Sequence, residues 1–249
     1  MFELTVVSDP IAYEALLVER IAELERAKSA AAAEQARVTA ELDTARRARE
    51  AAEGVPAAKR GRGLSAEIAL ARHDSPNRGG RHLGFARALV HEMPYTLAAL
   101  ESGALSEWRA TLIVRESACL SVEDRRKLDT EMCLDQAGLE GKGDKRIEAG
   151  AKSIAYRLDP QAVVDKAVRA QSERTVTVRP APDTMSYVTA LLPMAQGVSV
   201  YAALKRHADT TFDDRSRGQV MADTLVERVT GRPADVAVPV AVNLVMTDE

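Results

Sequence analysis

The sequence predicts a mainly α-helical protein: a long N-terminal helix with coiled-coil spacing, a helical bundle, then a small ββααβ unit of α+β type. Three observations predict it. Apolar residues make up 46% of the chain but aromatics only 4%, so the core must be built from Ala, Leu and Val, and Ala and Leu favour helices. No Gly or Pro falls between Pro10 and Gly54. From residue 173 the pattern changes to alternating β-branched residues, the period of strands.

Residues 1–55 carry the long helix. Leu17, Leu24, Ala31, Val38 and Ala45 recur every seven residues, the spacing of a coiled-coil seam. The companion positions are mixed: Ile21 and Leu42 fit, whereas Lys28 and Gln35 do not. Two readings follow, a homodimer through this helix or a single helix packed on its own domain. GVPAAKRGRG at 54–63 is rich in Gly and Pro, so 56–63 reads as a flexible linker.

Residues 64–171 read as a bundle with helices at 64–74, 80–92, 94–101, 106–118, 121–138 and 144–171. Pro94 suits a helix start, where its missing N–H costs nothing. Ser106 and Ser121 are cap residues, and Glu123 and Asp124 suit the positive end of a helix dipole. Residues 172–249 form the last unit: strands at 173–180 and 184–193 around a turn at 181–183, helices at 194–208 and 215–230, and a closing strand at 236–246. Pro239 marks that strand as an edge or a bulge.

The chain is acidic overall, with a formal net charge of −3, so a nucleic-acid surface has to be local. One stretch qualifies. Lys59, Arg60, Arg62, Arg72, Arg78, Arg81 and Arg87 face only Glu67 and Asp74 between residues 59 and 87. The first six are the candidate phosphate contacts; the alternative is the solvated flank of a linker. The passage 94–117 has the order helix, Gly-containing turn, capped helix. It reads either as a DNA-reading pair, with Glu107, Arg109 and Arg115 outward and Trp108, Leu112 and Cys119 inward, or as an αα-hairpin in the bundle core.

Catalytic signatures are missing. His73, His82 and His91 are nine residues apart, which turns successive ones to opposite helix faces, so no metal site is expected. Gly61-Arg62-Gly63 and the GLEGKGDK loop at 138–145 lack the order of a phosphate-binding loop. No nucleophile elbow appears. No catalytic residue, metal or cofactor is expected. Cys119 and Cys133 make no disulfide framework, and there is no secretory leader or membrane span, which together predict a cytoplasmic protein.

One resemblance stands out. The run HEMPYTLAALESGALSEWRA is similar to the signature of the domain of unknown function 222, the 13E12-repeat family. Leu158-Asp159-Pro160, Ala170 and Arg174 fit its next run, and Val178, Met185, Leu192 and Pro193 fit its strands. Arg215, Gln219, Ala222, Asp223 and Leu225 fit its late helix. Arg109 stands where the family often has His, and Thr184 where Asp-Gly-Met is usual. The resemblance implies an actinobacterial protein whose relatives continue into a C-terminal HNH nuclease domain. No His follows His207 and no Cys follows Cys133, so that nuclease site is not expected in this chain, which then reads as truncated before the HNH domain or as a short member. The expected function is a non-catalytic, DNA-associated accessory module of an HNH-endonuclease-type protein. The alternative is a structural or oligomerisation protein acting through the N-terminal helix.

Overall fold

Small side chains let the long N-terminal helix lie close on its own bundle. In the computed structural model, which describes residues 10–236, α1 runs from Pro10 to Ala52, a span of about 65 Å at 1.5 Å per residue. Its buried stripe is Ser29, Ala32, Ala33, Ala36, Thr39, Ala40 and Asp43, at the three- and four-residue spacing of one helix face. That stripe packs on α3 (Pro76–Glu92) and α4 (Pro94–Glu101).

The segment after α1 is a hydrogen-bonded reversal. A 3-10 turn spans Ala57–Lys59. The Arg60 Nε donates to the Val55 carbonyl at 2.8 Å, and the Gly61 N–H donates to the Glu50 carboxylate at 2.6 Å. α2 (Leu64–Ala71) then packs on α3. The two backbones come so close that a Cβ on Gly79 would stand 1.7 Å from the Ser65 carbonyl oxygen. Only glycine admits that approach.

The first unit ends within α8, at Lys166. Its remaining helices are α5 (Glu107–Ser117), α6 (Val122–Cys133), α7 (Asp144–Leu158) and the start of α8 (Pro160–Ser172). α5 lies on α7, and α6 on both α4 and α7. Leu89, Met93, Leu100, Leu105, Ile113, Leu128 and Ile147 fill the centre and are at most 1% exposed. Ser106 and Ser121 cap α5 and α6, accepting from the Arg109 and Asp124 N–H groups. Two expected long helices are broken. The 121–138 run stops near Leu134, and a 3-10 turn at Gln136–Leu139 follows, with Asp135 accepting from the Ala137 N–H. The 144–171 run divides at Asp159, which adopts φ −145° and ψ 86°. A residue before proline is pushed out of the helical region, and the Asp159 carboxylate accepts from the Ala162 N–H to start α8.

The second unit begins at Ala167. β1 (Thr175–Pro180) pairs antiparallel with β2 (Ser186–Leu191), with Val178 opposite Val188 and Arg179 opposite Tyr187. The Arg179 guanidinium sits 4.0 Å over the Tyr187 ring, a cross-strand cation–π pair. Asp183 and Thr184 both have positive φ, as a tight type I′ hairpin turn requires. Thr184 is a β-branched residue in the left-handed region, which glycine would occupy without strain. α9 (Met194–Thr210) packs on α10 (Arg217–Thr230). Apart from Val236, the expected closing strand at 236–246 lies outside the described residues.

Candidate functional site

α1 leaves its heptad positions exposed to solvent, and from Pro10 to Lys28 it is exposed on every side apart from the half-buried Arg20. Leu17 is 42% exposed, Ile21 67%, Leu24 49%, Val38 53% and Leu42 40%; Lys28, Ala31, Gln35 and Ala45 are exposed as well. A helix that has already satisfied one face on a core normally turns charges to the other. Here the heptad row carries bulky apolar residues at both ends, with Lys28 and Gln35 between them. Beside its middle lies an open groove of about 430 Å³ between α1 and α5, lined by Lys28, Ala31 and Gln35 on one side and Trp108 on the other. Trp108 is the single tryptophan of the chain and is 55% exposed, where the sequence pattern had it pointing inward.

Asp43 locks α1 in this orientation. Arg87 grips its carboxylate with two hydrogen bonds of 2.7 Å, and Arg47 adds one of 2.8 Å. The Arg87 guanidinium holds the Asp43 carboxyl below the usual carboxylate range, against the opposing effect of burial.

The basic stretch divides into engaged and free cations. Arg72 pairs with Glu107 at 2.7 Å, and Arg78 reaches Asp74 at 3.4 Å. Arg60 is held by the Val55 carbonyl, and Arg87 belongs to Asp43. Lys59, Arg62 and Arg81 are exposed and make no ion pair among the described residues. They flank the reversal into α2 and the first turns of α3.

The 94–117 passage is an αα-hairpin whose second helix ties its charged side chains to neighbouring elements. Glu107 pairs with Arg72, Arg109 with Asp144, and Arg115 with Glu116 and Glu148, while Ala110, Leu112, Ile113, Glu116 and Ser117 are buried. A recognition helix presents its first turns to a groove; in α5 the outward Glu107, Arg109 and Arg115 are engaged within the chain, while Trp108 stays exposed.

Among the described residues no cluster of three or more His, Cys, Asp or Glu side chains is arranged to hold a metal ion, and no helix is long and apolar enough to cross a membrane. His82 is paired with Asp74 at 3.0 Å. Both cysteines are free thiols. Burial pushes the Cys133 thiol up to about 11, which keeps it a protonated, unreactive core group at neutral pH.

Several residues that carry the family resemblance have structural roles. Met93, Leu97, Ala99, Leu100, Leu105 and Ala110 are core, and Asp159 starts α8. Ser216 and Gln219 form a reciprocal capping box at the start of α10. Arg215 clamps Asp213 and Asp223, with the Asp223 bond at 2.7 Å. Several positions of the signature are thus core, cap or clamp residues. No curated protein and no solved structure matches the chain. The model of the family described as "Domain of unknown function (DUF222)" matches residues 19–241, and the chain belongs to that family.

Proposed function

We propose that this chain is an assembly module without chemistry of its own, whose N-terminal helix pairs with a second helix along the exposed heptad stripe. The observation that carries the reading is the joint exposure of Leu17, Ile21, Leu24, Val38 and Leu42 on a helix whose buried residues all lie between Ser29 and Asp43. Exposed bulky apolar side chains in that number mark an interaction site. The expected result is a dimer mass for the full chain by light scattering at tens of micromolar, and a monomer mass for Leu17→Glu/Leu24→Glu. Both positions face solvent, so the variant keeps its circular dichroism spectrum. A wild-type monomer across that range would overturn the reading. Deleting the helix is not an equivalent test, because Ala32, Ala33, Ala36 and Ala40 belong to the core.

A second reading is favoured by the free cations Lys59, Arg62 and Arg81: a DNA-associated accessory module of an HNH-endonuclease-type protein, with nuclease chemistry supplied by another domain. The two free thiols fit a cytoplasmic setting for either reading. Each phosphate neutralised steepens the salt dependence of binding by about 0.9 in log–log slope. Lys59→Ala/Arg62→Ala/Arg81→Ala is therefore expected to lower the slope for a short duplex by roughly two to three units, with little change in sequence preference. Equal slopes for variant and wild type would remove the DNA reading.

A further inference from the structure

We infer that the outer edge of β2 is a docking site for the chain's own 238–242 segment, which lies outside the described residues and adds there as a third strand, antiparallel to β2. Every residue of β1 and β2 is exposed, and a two-stranded ribbon by itself is marginal in water. Its two faces differ. Directly opposed residues share a face, so Val176, Val178, Val188 and Ala190 make one side apolar, while Thr177, Arg179, Tyr187 and Thr189 lie on the other. The ladder tells which backbone groups point outward. The Ala181 N–H donates to the Met185 carbonyl at 2.9 Å. Hydrogen-bonded pairs recur at every second residue from there, which gives Arg179 with Tyr187 and Thr177 with Thr189. The residues between them turn their N–H and C=O groups away from the hairpin: Val176, Val178 and Pro180 on β1, and Ser186, Val188 and Ala190 on β2. Pro180 has no N–H to offer, which marks the β1 side as a solvent edge. The β2 side offers three complete residues to another strand.

The amino-acid pattern of the segment fits that edge and fixes the direction. Val238, Val240 and Val242 alternate with Pro239 and Ala241. A proline in a strand turns its missing donor away from the neighbour, so the even-numbered residues carry the groups that bond to β2. In an antiparallel pair, groups that meet across the ladder belong to directly opposed residues. The three valines then fall on the apolar side, with Val178 and Val188. In a parallel pair the bonded groups belong to residues offset by one, and the same valines would fall on the side of Thr177 and Tyr187. Keeping the bulky apolar residues on one face selects the antiparallel direction.

Amide hydrogen exchange of the full chain, followed residue by residue by NMR, tests the docking. Val188, Ala190, Val238, Val240 and Val242 are expected to exchange at least roughly tenfold more slowly than Val176, Val178 and Ala241. Two alanine-to-proline changes separate strand pairing from a general loss of structure. Ala190→Pro removes a donor that points to the third strand and none that points to β1. Protection at 238–242 should then fall to the level of Ala241, while Thr177 and Thr189 keep theirs because they bond within the hairpin. Ala241→Pro removes an N–H that points away from β2 and should leave the protection of Val188 and Ala190 unchanged. Slow exchange at Val176 and Val178 instead of Val188 and Ala190 overturns the choice of edge. Slow exchange at Ala237 and Ala241 instead of their neighbours overturns the pairing and its direction. Fast exchange at Val188, Ala190 and the three valines alike overturns the docking. Protection that rises with protein concentration overturns the assignment to the same chain and gives the strand to a second copy.

Discussion

Asp43→Ala should destabilise the first unit by about 2–4 kcal/mol, because it leaves the charge of Arg87 without its partner against the bundle. Asp43 is 6% exposed and is the point where α1 is bolted to α3. The lower half of the usual cost of orphaning a buried charge applies, since the Arg87 and Arg47 side chains are 37% and 41% exposed and recover water when the carboxylate is gone. At roughly 2–4 °C per kcal/mol for a unit of this size, thermal unfolding followed by circular dichroism should move down by about 4–16 °C. A shift below about 2 °C would show that the small-residue packing of Ala32, Ala33, Ala36 and Ala40 holds α1 without help.

The pH dependence of that difference has a definite sign. Arg87 and Arg47 lower the carboxyl in the folded state, so its stabilisation is fully present above the ordinary carboxylate range and is lost as pH falls through the folded value. Wild type and Asp43→Ala should therefore converge in acid.

Much of this fold was legible because it is written in local patterns. The uninterrupted run after Pro10, Pro94 at a helix start, the Ser106 and Ser121 caps, and the β-branched alternation near Val176 and Val178 each act within a few residues, and each appears where the pattern put it. The break at Asp159 was equally local, since a proline follows it, yet helix periodicity on both sides masked it. Tertiary facts were less accessible. Whether the heptad stripe of α1 faces its own bundle or solvent depends on a competing stripe of Ser and Ala, which buries little area and is weak as a periodic signal. The Arg72–Glu107, Arg78–Asp74 and Arg87–Asp43 pairs decide which cations of the basic stretch are free, and two of these join residues 35 and 44 positions apart. Trp108 on the outside could not be read from helical spacing, because α5 packs between two neighbours and its solvent face is narrow.

Asp129→Ala should give the other large loss, about 2–4 kcal/mol, with a pH dependence opposite to that of Asp43. Asp129 is fully buried. Its carboxylate accepts from the Tyr95 N–H at 2.8 Å, the Thr96 N–H at 2.7 Å and the Thr96 hydroxyl at 2.6 Å. Those backbone groups belong to the first turn of α4, which Pro94 opens and which has no side-chain cap of its own. Alanine would strand them in a dry pocket, each orphaned donor costing about 1–3 kcal/mol, with partial relief if water enters the space left behind. Burial raises the Asp129 carboxyl above its usual value, even though the three hydrogen bonds pull it down. A group raised in the folded state binds its proton more tightly there than in the unfolded chain, so its contribution to stability grows as pH falls through the folded value and levels off below the unfolded one. The gap between wild type and Asp129→Ala should therefore widen in mild acid while the gap for Asp43→Ala narrows. Urea unfolding of both variants beside wild type, at neutral pH and at pH values stepped toward 4, reads both slopes in one series. If the Asp129→Ala gap narrows on acidification, the ionised carboxylate is stabilised by the α4 terminus more than burial penalises it, and Asp129 is a charged cap rather than a group folded against its own desolvation.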